Sequence, residues 1–162
     1  MSRTLAVALS LLCLAPLPAL AEGEVGVVAG ASPEGTTLSL RGGWFIPQDS
    51  VLRLEIEGLV SRTLDADETV TRAMAGASLV FPVAADGELE GAAWTASALL
   101  GSADIGGRDA ARGLAWSASL GARWFVLPAV VRIDAGYEGI DGRGAPGPSP
   151  FLAAGIAWRI GE

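Results

Sequence analysis

The chain has 162 residues, a formal net charge of −7, no histidine and a single cysteine, and 51% of its residues are hydrophobic. The negative charge argues against a nucleic-acid partner, because a phosphate backbone is bound by a basic face. The absence of histidine removes the commonest general base and the commonest metal ligand. With only Cys13, no disulfide can form within the chain. We therefore expect no cofactor and no metal site.

The amino terminus has the three parts of a secretory signal peptide. Arg3 supplies a positive charge, residues 5–14 form an apolar stretch, and residues 19–21 (Ala-Leu-Ala) form a small-x-small cleavage site. An uncleaved anchor helix is the alternative, but the apolar stretch is too short to span a bilayer and is followed by two prolines. We expect residues 1–21 to be removed and residues 22–162 to form one domain.

Apolar residues in the rest of the chain recur at every second position. Leu152, Ile156 and Trp158 share one face of a segment whose other face carries Arg159. A period of two is that of a β-strand, whereas a helix repeats every 3.6 residues. The pattern predicts eight strands, at residues 24–31, 36–46, 51–64, 70–83, 89–101, 114–126, 130–140 and 150–160. No uncharged stretch reaches the about 20 residues that a transmembrane helix needs.

The predicted connections alternate in length along the chain. Short turns are expected at residues 47–50, 84–88 and 127–129. Longer, glycine-rich and charged loops are expected at 102–113 and 141–149, with intermediate ones at 32–35 and 65–69. Short periplasmic turns and longer outer loops are typical of transmembrane barrels, and an even number of strands places both termini on the periplasmic side.

The two faces of these strands differ in charge. On the apolar face, charge falls only at strand ends, at Arg62 and Glu90. A soluble barrel would turn large apolar side chains inward, because protein interiors are close-packed. Here the opposite face combines glycine, serine and threonine with ten charged residues, Arg41, Arg53, Glu55, Glu57, Arg72, Arg123, Arg132, Asp134, Glu138 and Arg159. We therefore predict an all-β, eight-stranded, antiparallel up-and-down transmembrane β-barrel with a polar lumen.

Buried charges must be paired, so the lumen charges are expected to form a structural network of ion pairs. The turn after strand two should bring Arg41 towards Glu55 and Glu57. The turn after strand six should bring Arg123 towards Arg132 and Asp134, and barrel closure should bring Arg159 towards Glu24. A catalytic carboxylate pair is the alternative for these acids, but their arginine neighbours favour ion pairing.

Aromatic residues of the apolar face gather near one end of the strands. Trp44, Phe81, Trp124 and Trp158 each lie close to the end of an even-numbered strand. In a barrel these ends form one ring, and amphipathic aromatic rings favour the membrane interface. We predict that the four residues form a girdle at the periplasmic interface, whereas Trp94 is placed nearer the middle of its strand.

The combination of signal peptide, eight alternating strands, aromatic girdle and polar lumen resembles the small eight-stranded outer-membrane barrels of Gram-negative bacteria. The resemblance covers residues 22–162 and rests on architecture, without a sharp motif. It implies an outer-membrane location, contact with outer-membrane lipids and recognition by the barrel-insertion machinery. Members of this group usually end on an aromatic residue, whereas this sequence ends Gly161-Glu162.

Some barrels of this class are lipid-modifying enzymes that use a histidine beside a serine, because a hydroxyl needs a neighbouring base to become a nucleophile. This chain offers no position for that histidine, so we expect no enzymatic activity. The sequence favours a structural or surface-interaction role with a lumen plugged by Arg–carboxylate pairs. A narrow channel for small solutes is the main alternative, and a lipid-modifying enzyme is a more remote one.

Overall fold

The computed structural model describes residues 22–46, 52–64, 69–83, 91–106, 111–142 and 147–161. Residues 1–21, which carry the predicted signal peptide, lie outside this range, as does Glu90. In the described parts of the chain, no helix is long and apolar enough to cross a membrane. The strands are β1 (Gly23–Ser32), β2 (Gly35–Ile46), β3 (Arg53–Leu64), β4 (Thr69–Pro82), β5 (Gly91–Gly106), β6 (Ala111–Val126), β7 (Ala129–Asp141) and β8 (Ser149–Ile160).

Each strand pairs antiparallel with its neighbour in the sequence, and β1 also pairs with β8, so the sheet closes into a barrel. The predicted all-β, eight-stranded fold is confirmed. Alternation along the strands sends one set of side chains outward and the other into the lumen. Large apolar side chains such as Val27, Leu40, Leu120 and Ile156 are exposed on the outside, whereas Arg123 and Glu55 are fully enclosed.

Strands β5 and β6 extend further towards the far end than the sequence predicted. The loop predicted at residues 102–113 is mostly strand, since β5 continues to Gly106 and β6 begins at Ala111. Alternation continues through this segment, where Ala103 faces inward and is buried, while Ser102 faces outward and is exposed. Glycines and charges there suggested a loop, but pairing with β4 and β6 extends the ladder.

The predicted contrast between short turns and long loops is also absent. We call the end of the barrel that carries both chain termini the terminal end, and the opposite one the far end. Strands are joined at the terminal end by residues 47–52, 83–90 and 127–128. At the far end they are joined by residues 33–34, 65–68, 107–110 and 142–148. Connection length therefore does not distinguish the two ends.

Among the residues that the structure describes, charges on the outer face occur near the far end. Among the described strand residues they are Arg62, Asp104, Arg112 and Asp141, each within two residues of the far end of its strand. The middle of the outer face is an uninterrupted apolar band. This distribution suits a barrel whose waist is surrounded by hydrocarbon.

We expect a charge in the middle of this band to impair membrane insertion. Ala118 lies mid-strand in β6 and is exposed on the outer face. Ala118→Arg should reduce the stability of the inserted state by about 2–4 kcal/mol, whereas Leu114→Arg, nearer the far end of β6, should cost about 0–1 kcal/mol. The folded fraction recovered in lipid vesicles measures the difference. Equal recovery of Ala118→Arg and the wild type would contradict the assignment of the faces.

Most aromatic residues of the outer face lie in one belt at the terminal end, whereas Tyr137 is exposed nearer the far end. Trp44, Phe81, Trp124 and Trp158 are each within two residues of the terminal end of their strands. Trp94, which the sequence analysis placed nearer the middle, is the cross-strand partner of Phe81 and therefore lies in the same belt. Its position was misjudged because β5 begins at Gly91, two residues later than predicted.

Candidate functional site

Within the described ranges, the lumen is where the fold brings many polar groups together, and it is layered along the barrel axis. A charged layer lies in the terminal-end half of the lumen, and buried apolar side chains lie on both sides of it. We define the charged layer by its seven ionisable residues, Glu24, Arg41, Glu55, Glu57, Arg123, Arg132 and Asp134. None of them is more than 8% exposed. At this burial, each charge must be compensated by its neighbours.

Glu57 of β3 is the centre of the charged layer. Its carboxylate forms a two-pronged ion pair with Arg41, in which Nε donates to Oε1 over 3.1 Å and Nη2 donates to Oε2. Arg123 Nη2 lies 2.8 Å and Arg132 Nη1 lies 3.2 Å from Oε1. Ser78 donates a hydrogen bond of 2.6 Å to Oε2. One carboxylate thus joins three guanidinium groups from β2, β6 and β7.

Arg123 of β6 gathers three carboxylates. Its Nη1 lies 2.9 Å from Glu24 Oε1, and its Nη2 lies 2.7 Å from Glu55 Oε2 and 2.8 Å from Glu57 Oε1. Oxygens of these acids lie within 4.8 Å of one another, a spacing that could hold a metal ion. The guanidinium of Arg123 already supplies the positive charge at this position, so the geometry gives no reason to place a metal there.

Arg132 and Arg41 extend the layer to Asp134 of β7. Arg132 Nε donates to Asp134 Oδ2 over 2.8 Å, and its Nη2 donates to Oδ1 over 3.3 Å. Arg41 Nη1 reaches the same Oδ2 from across the lumen at 3.5 Å. These contacts connect β1, β2, β3, β6 and β7 through side chains, in addition to the backbone ladders.

Two lumen glycines provide the space for these side chains. A Cβ atom at Gly43 would overlap the carboxylate of Glu55, and one at Gly121 would overlap the carboxylate of Asp134. An eight-stranded barrel is only just wide enough for its interior side chains. Glycine at these positions therefore allows long charged residues on the adjacent strands to fold into the bore.

The lumen also contains buried apolar side chains, so the expectation of a uniformly polar interior was wrong. Next to the charged layer, towards the terminal end, lies an apolar layer formed by Phe45, Val80, Ala93, Phe125, Val130 and Ala157. Towards the far end, an apolar cluster consists of Val70, Met74, Leu99, Ala103, Ala115 and Ile140. The signal was present in the sequence, because alternation places Phe45 on the face of Arg41 and Phe125 on the face of Arg123.

The other predicted lumen residues lie nearer the two ends. At the far end, Arg72 Nη2 lies 3.4 Å from Glu138 and 3.5 Å from Glu34, and Arg72 Nη1 donates to Thr63 over 3.1 Å. At the terminal end, Arg159 pairs with Glu22, and Arg53 lies 3.8 Å from the same carboxylate. The carboxylates of these two clusters are more exposed than those of the charged layer.

Several expected pairings differ from those in the structure. Arg41 does contact Glu57, but its second carboxylate is Asp134 and not Glu55, which contacts Arg123. Arg123 lies opposite Arg132 in the register, yet its partners are glutamates of β1 and β3. Glu24 lies opposite Arg159, but its carboxylate contacts Arg123 and Arg132. The expectations considered adjacent strands, whereas many of these contacts cross the lumen.

Ser78 contacts the charged layer but was not among the predicted lumen residues, whereas Glu24 was expected in the lumen as the partner of Arg159. Ser78 and Ser97 also form a hydrogen bond with each other, and Arg41 Nη2 donates to Ser97 over 3.3 Å. The sequence signal that could have identified Ser78 and Ser97 is a serine at an inward-facing strand position, on the same face as the lumen arginines. In this arrangement the carboxylates neutralise arginines, and the buried hydroxyls serve as further hydrogen-bonding partners.

Comparisons with known proteins identify the fold. No family model matches the chain, and no curated protein matches its sequence. Among solved structures, the chain is similar to the N-terminal β-barrel domain of Pseudomonas aeruginosa OprF, with a TM-score of 0.60 and 14% identity, over 87% of this chain and 98% of that one. The outer membrane enzyme PagL gives a TM-score of 0.53 and 15% identity, over 86% and 99% of the two chains.

Neisserial surface protein A (NspA) is also similar, with a TM-score of 0.50 and 17% identity, over 86% of this chain and 96% of that one. These likenesses agree with the closed antiparallel barrel of the structure. The chain therefore has the fold of the small eight-stranded outer-membrane β-barrels. Proteins of this fold include at least one enzyme, so the fold alone does not decide the activity.

Proposed function

We propose that the protein is a non-enzymatic β-barrel of the bacterial outer membrane, with a structural or surface-interaction role and a closed lumen. The observation that carries the proposal is the charged layer, in which Glu57 joins Arg41, Arg123 and Arg132 across the bore. The apolar layer next to it adds a second obstruction. An eight-stranded bore filled in this way leaves no continuous aqueous route.

Within that proposal, the short connections favour the structural role. The far-end connections comprise residues 33–34, 65–68, 107–110 and 142–148, so none exceeds seven residues. Specific protein interfaces involve about 20–30 residues on each side, which such short connections can supply only in combination. The outer face, with its apolar waist and aromatic belt, instead suits contact with membrane lipids.

Planar-bilayer recording tests the closed lumen. Wild-type protein, purified and reconstituted, should show little or no steady conductance, because ions would have to displace a layer of buried charges that are held in ion pairs. A sealed bore and a failure to insert both give no conductance. Recovery of folded protein from the same membranes is therefore the necessary control. Stable channels whose conductance depends on ion size would contradict the proposal and favour the narrow-channel alternative.

We further propose that residues 1–21 are a cleaved signal peptide, that the mature chain begins at Glu22, and that both termini face the periplasm. An even strand number brings the termini to one end, and insertion from the periplasm requires only the other end to cross the membrane. The intact mass of protein from cell envelopes tests the first point, and a mass retaining residues 1–21 would refute it. A carboxy-terminal tag should be inaccessible to impermeant reagents in intact cells. Labelling of the tag would show that the termini face the outside of the cell.

A further inference from the structure

The charged layer contains more acids than bases. Of its seven ionisable residues, four have a carboxylate and three have a guanidinium group, and none is more than 8% exposed. With every group ionised, this enclosed layer would hold one negative charge more than it holds positive ones. Burial of an uncompensated charge is costly, and a buried group commonly neutralises itself instead.

Glu55 has fewer positive neighbours than the other acids of the layer. The carboxylate of Glu57 contacts three guanidinium groups, and those of Glu24 and Asp134 contact two each. Among the described residues, Glu55 contacts one, that of Arg123 at 2.7 Å, which Glu24 and Glu57 also contact. Its other oxygen, Oε1, is buried without a hydrogen-bond partner in the described parts of the chain. Glu55 is therefore the acid whose charge is least compensated.

The groups that face Glu55 are negative on balance. Its cross-strand neighbours on β2 and β4, Phe45 and Ser78, carry no charge. Oxygens of Glu24 on β1 and of Glu57 on β3 lie within 4.8 Å of its own. Like charges at this spacing disfavour the ionised form of each carboxyl group. Full ionisation would thus place three negative charges side by side around one guanidinium group.

Positive charges elsewhere in the lumen have acids of their own. The other two arginines of the charged layer are held in the ion pairs described above. Arg53 and Arg159 both pair with Glu22 at the terminal end, where their side chains are 28% and 13% exposed. Arg72 contacts two glutamates near the far end. A proton is the positive charge that still fits, because it resides on a carboxyl oxygen and needs no further room.

We propose that the folded barrel holds one proton in the charged layer at neutral pH, on the carboxyl group of Glu55. The layer then has three carboxylates for three guanidinium groups and is electrically neutral. The proton leaves when the barrel unfolds and Glu55 reaches water. The inference goes beyond the closed bore proposed above, since it makes the stability of the barrel depend on pH and does not depend on whether the bore conducts.

The absence of histidine from the chain makes a test by pH straightforward. Unfolding in urea from lipid vesicles is measured between about pH 5.5 and 7, above the pKa of about 4.3 that glutamate has in an unfolded chain. In this range the folded state holds one proton more than the unfolded state, so stability falls as pH rises. The unfolding equilibrium constant should increase about tenfold per pH unit. A constant that does not increase with pH would overturn the proposal without the need for any variant.

Glu55→Gln assigns the proton to its residue, because the amide copies the shape of a neutral carboxyl group and cannot ionise. At pH 7 we expect this variant to unfold at the urea concentration of the wild type or at a higher one, and to lose the tenfold increase. The matched control is Asp141→Asn, which removes a carboxylate from the exposed outer face and should keep the increase. A Glu55→Gln barrel that unfolds at less urea than the wild type at pH 7, or that keeps the full increase with pH, would refute a proton on Glu55.

Discussion

Replacement of Glu57 by glutamine is expected to destabilise the barrel by about 3–5 kcal/mol, the cost of removing one partner from a fully buried ion pair. The substitution keeps the shape of the side chain but leaves Arg41, Arg123 and Arg132 without the carboxylate that they share. Equilibrium unfolding in urea from lipid vesicles, followed by tryptophan fluorescence, measures the change.

Asp104→Asn is the matched control, since it removes a carboxylate charge from a pair at the outer surface, where the Asp104 side chain is 27% exposed. Asp104 Oδ1 lies 2.8 Å from Arg112 Nε at the far end, and the Arg112 side chain is 82% exposed. Exposed ion pairs contribute about 0–1 kcal/mol because water screens them. Equal unfolding midpoints for Glu57→Gln and Asp104→Asn would show that the charged layer does not hold the barrel together.

Truncation of Phe125 to alanine is expected to cost about 3–5 kcal/mol, as for other buried phenylalanines. Phe125 packs in the terminal-end apolar layer with Phe45, Val80 and Val130, and only 5% of it is exposed. Loss of its ring leaves a cavity directly beneath the charged layer, where the rigid backbone ladders prevent collapse. The same urea unfolding measurement in vesicles applies.

Val126→Ala provides the control from the neighbouring position. Val126 is 66% exposed on the outer face, so its truncation removes contacts with the surroundings and creates no internal cavity. We expect a change of about 0.5 kcal/mol or less. If Val126→Ala proved as costly as Phe125→Ala, the two faces of β6 would have to be exchanged at this end.

The amino-acid sequence alone determined the strand count, the alternation and the face on which each charge lies. A period of two is a local property, because successive side chains of any strand point to opposite sides. Arg41, Glu57, Arg123 and Asp134 could therefore be assigned to one face without knowledge of their partners. The extent of β5 was misjudged because aspartate and glycine in residues 102–106 suggested a loop, while pairing with both neighbouring strands keeps that segment extended.

Only the tertiary structure decided which charges meet and how the bore is sealed. Arg41 on β2 reaches Asp134 on β7, and Arg123 on β6 reaches Glu55 and Glu57 on β3. These strands are not adjacent, so the contacts depend on the width of the closed barrel and on the stagger accumulated from strand to strand. The height of Phe45 and Phe125 relative to the charged layer depends on the same stagger. No pattern within a single strand contains that information, which arises only when β1 pairs with β8.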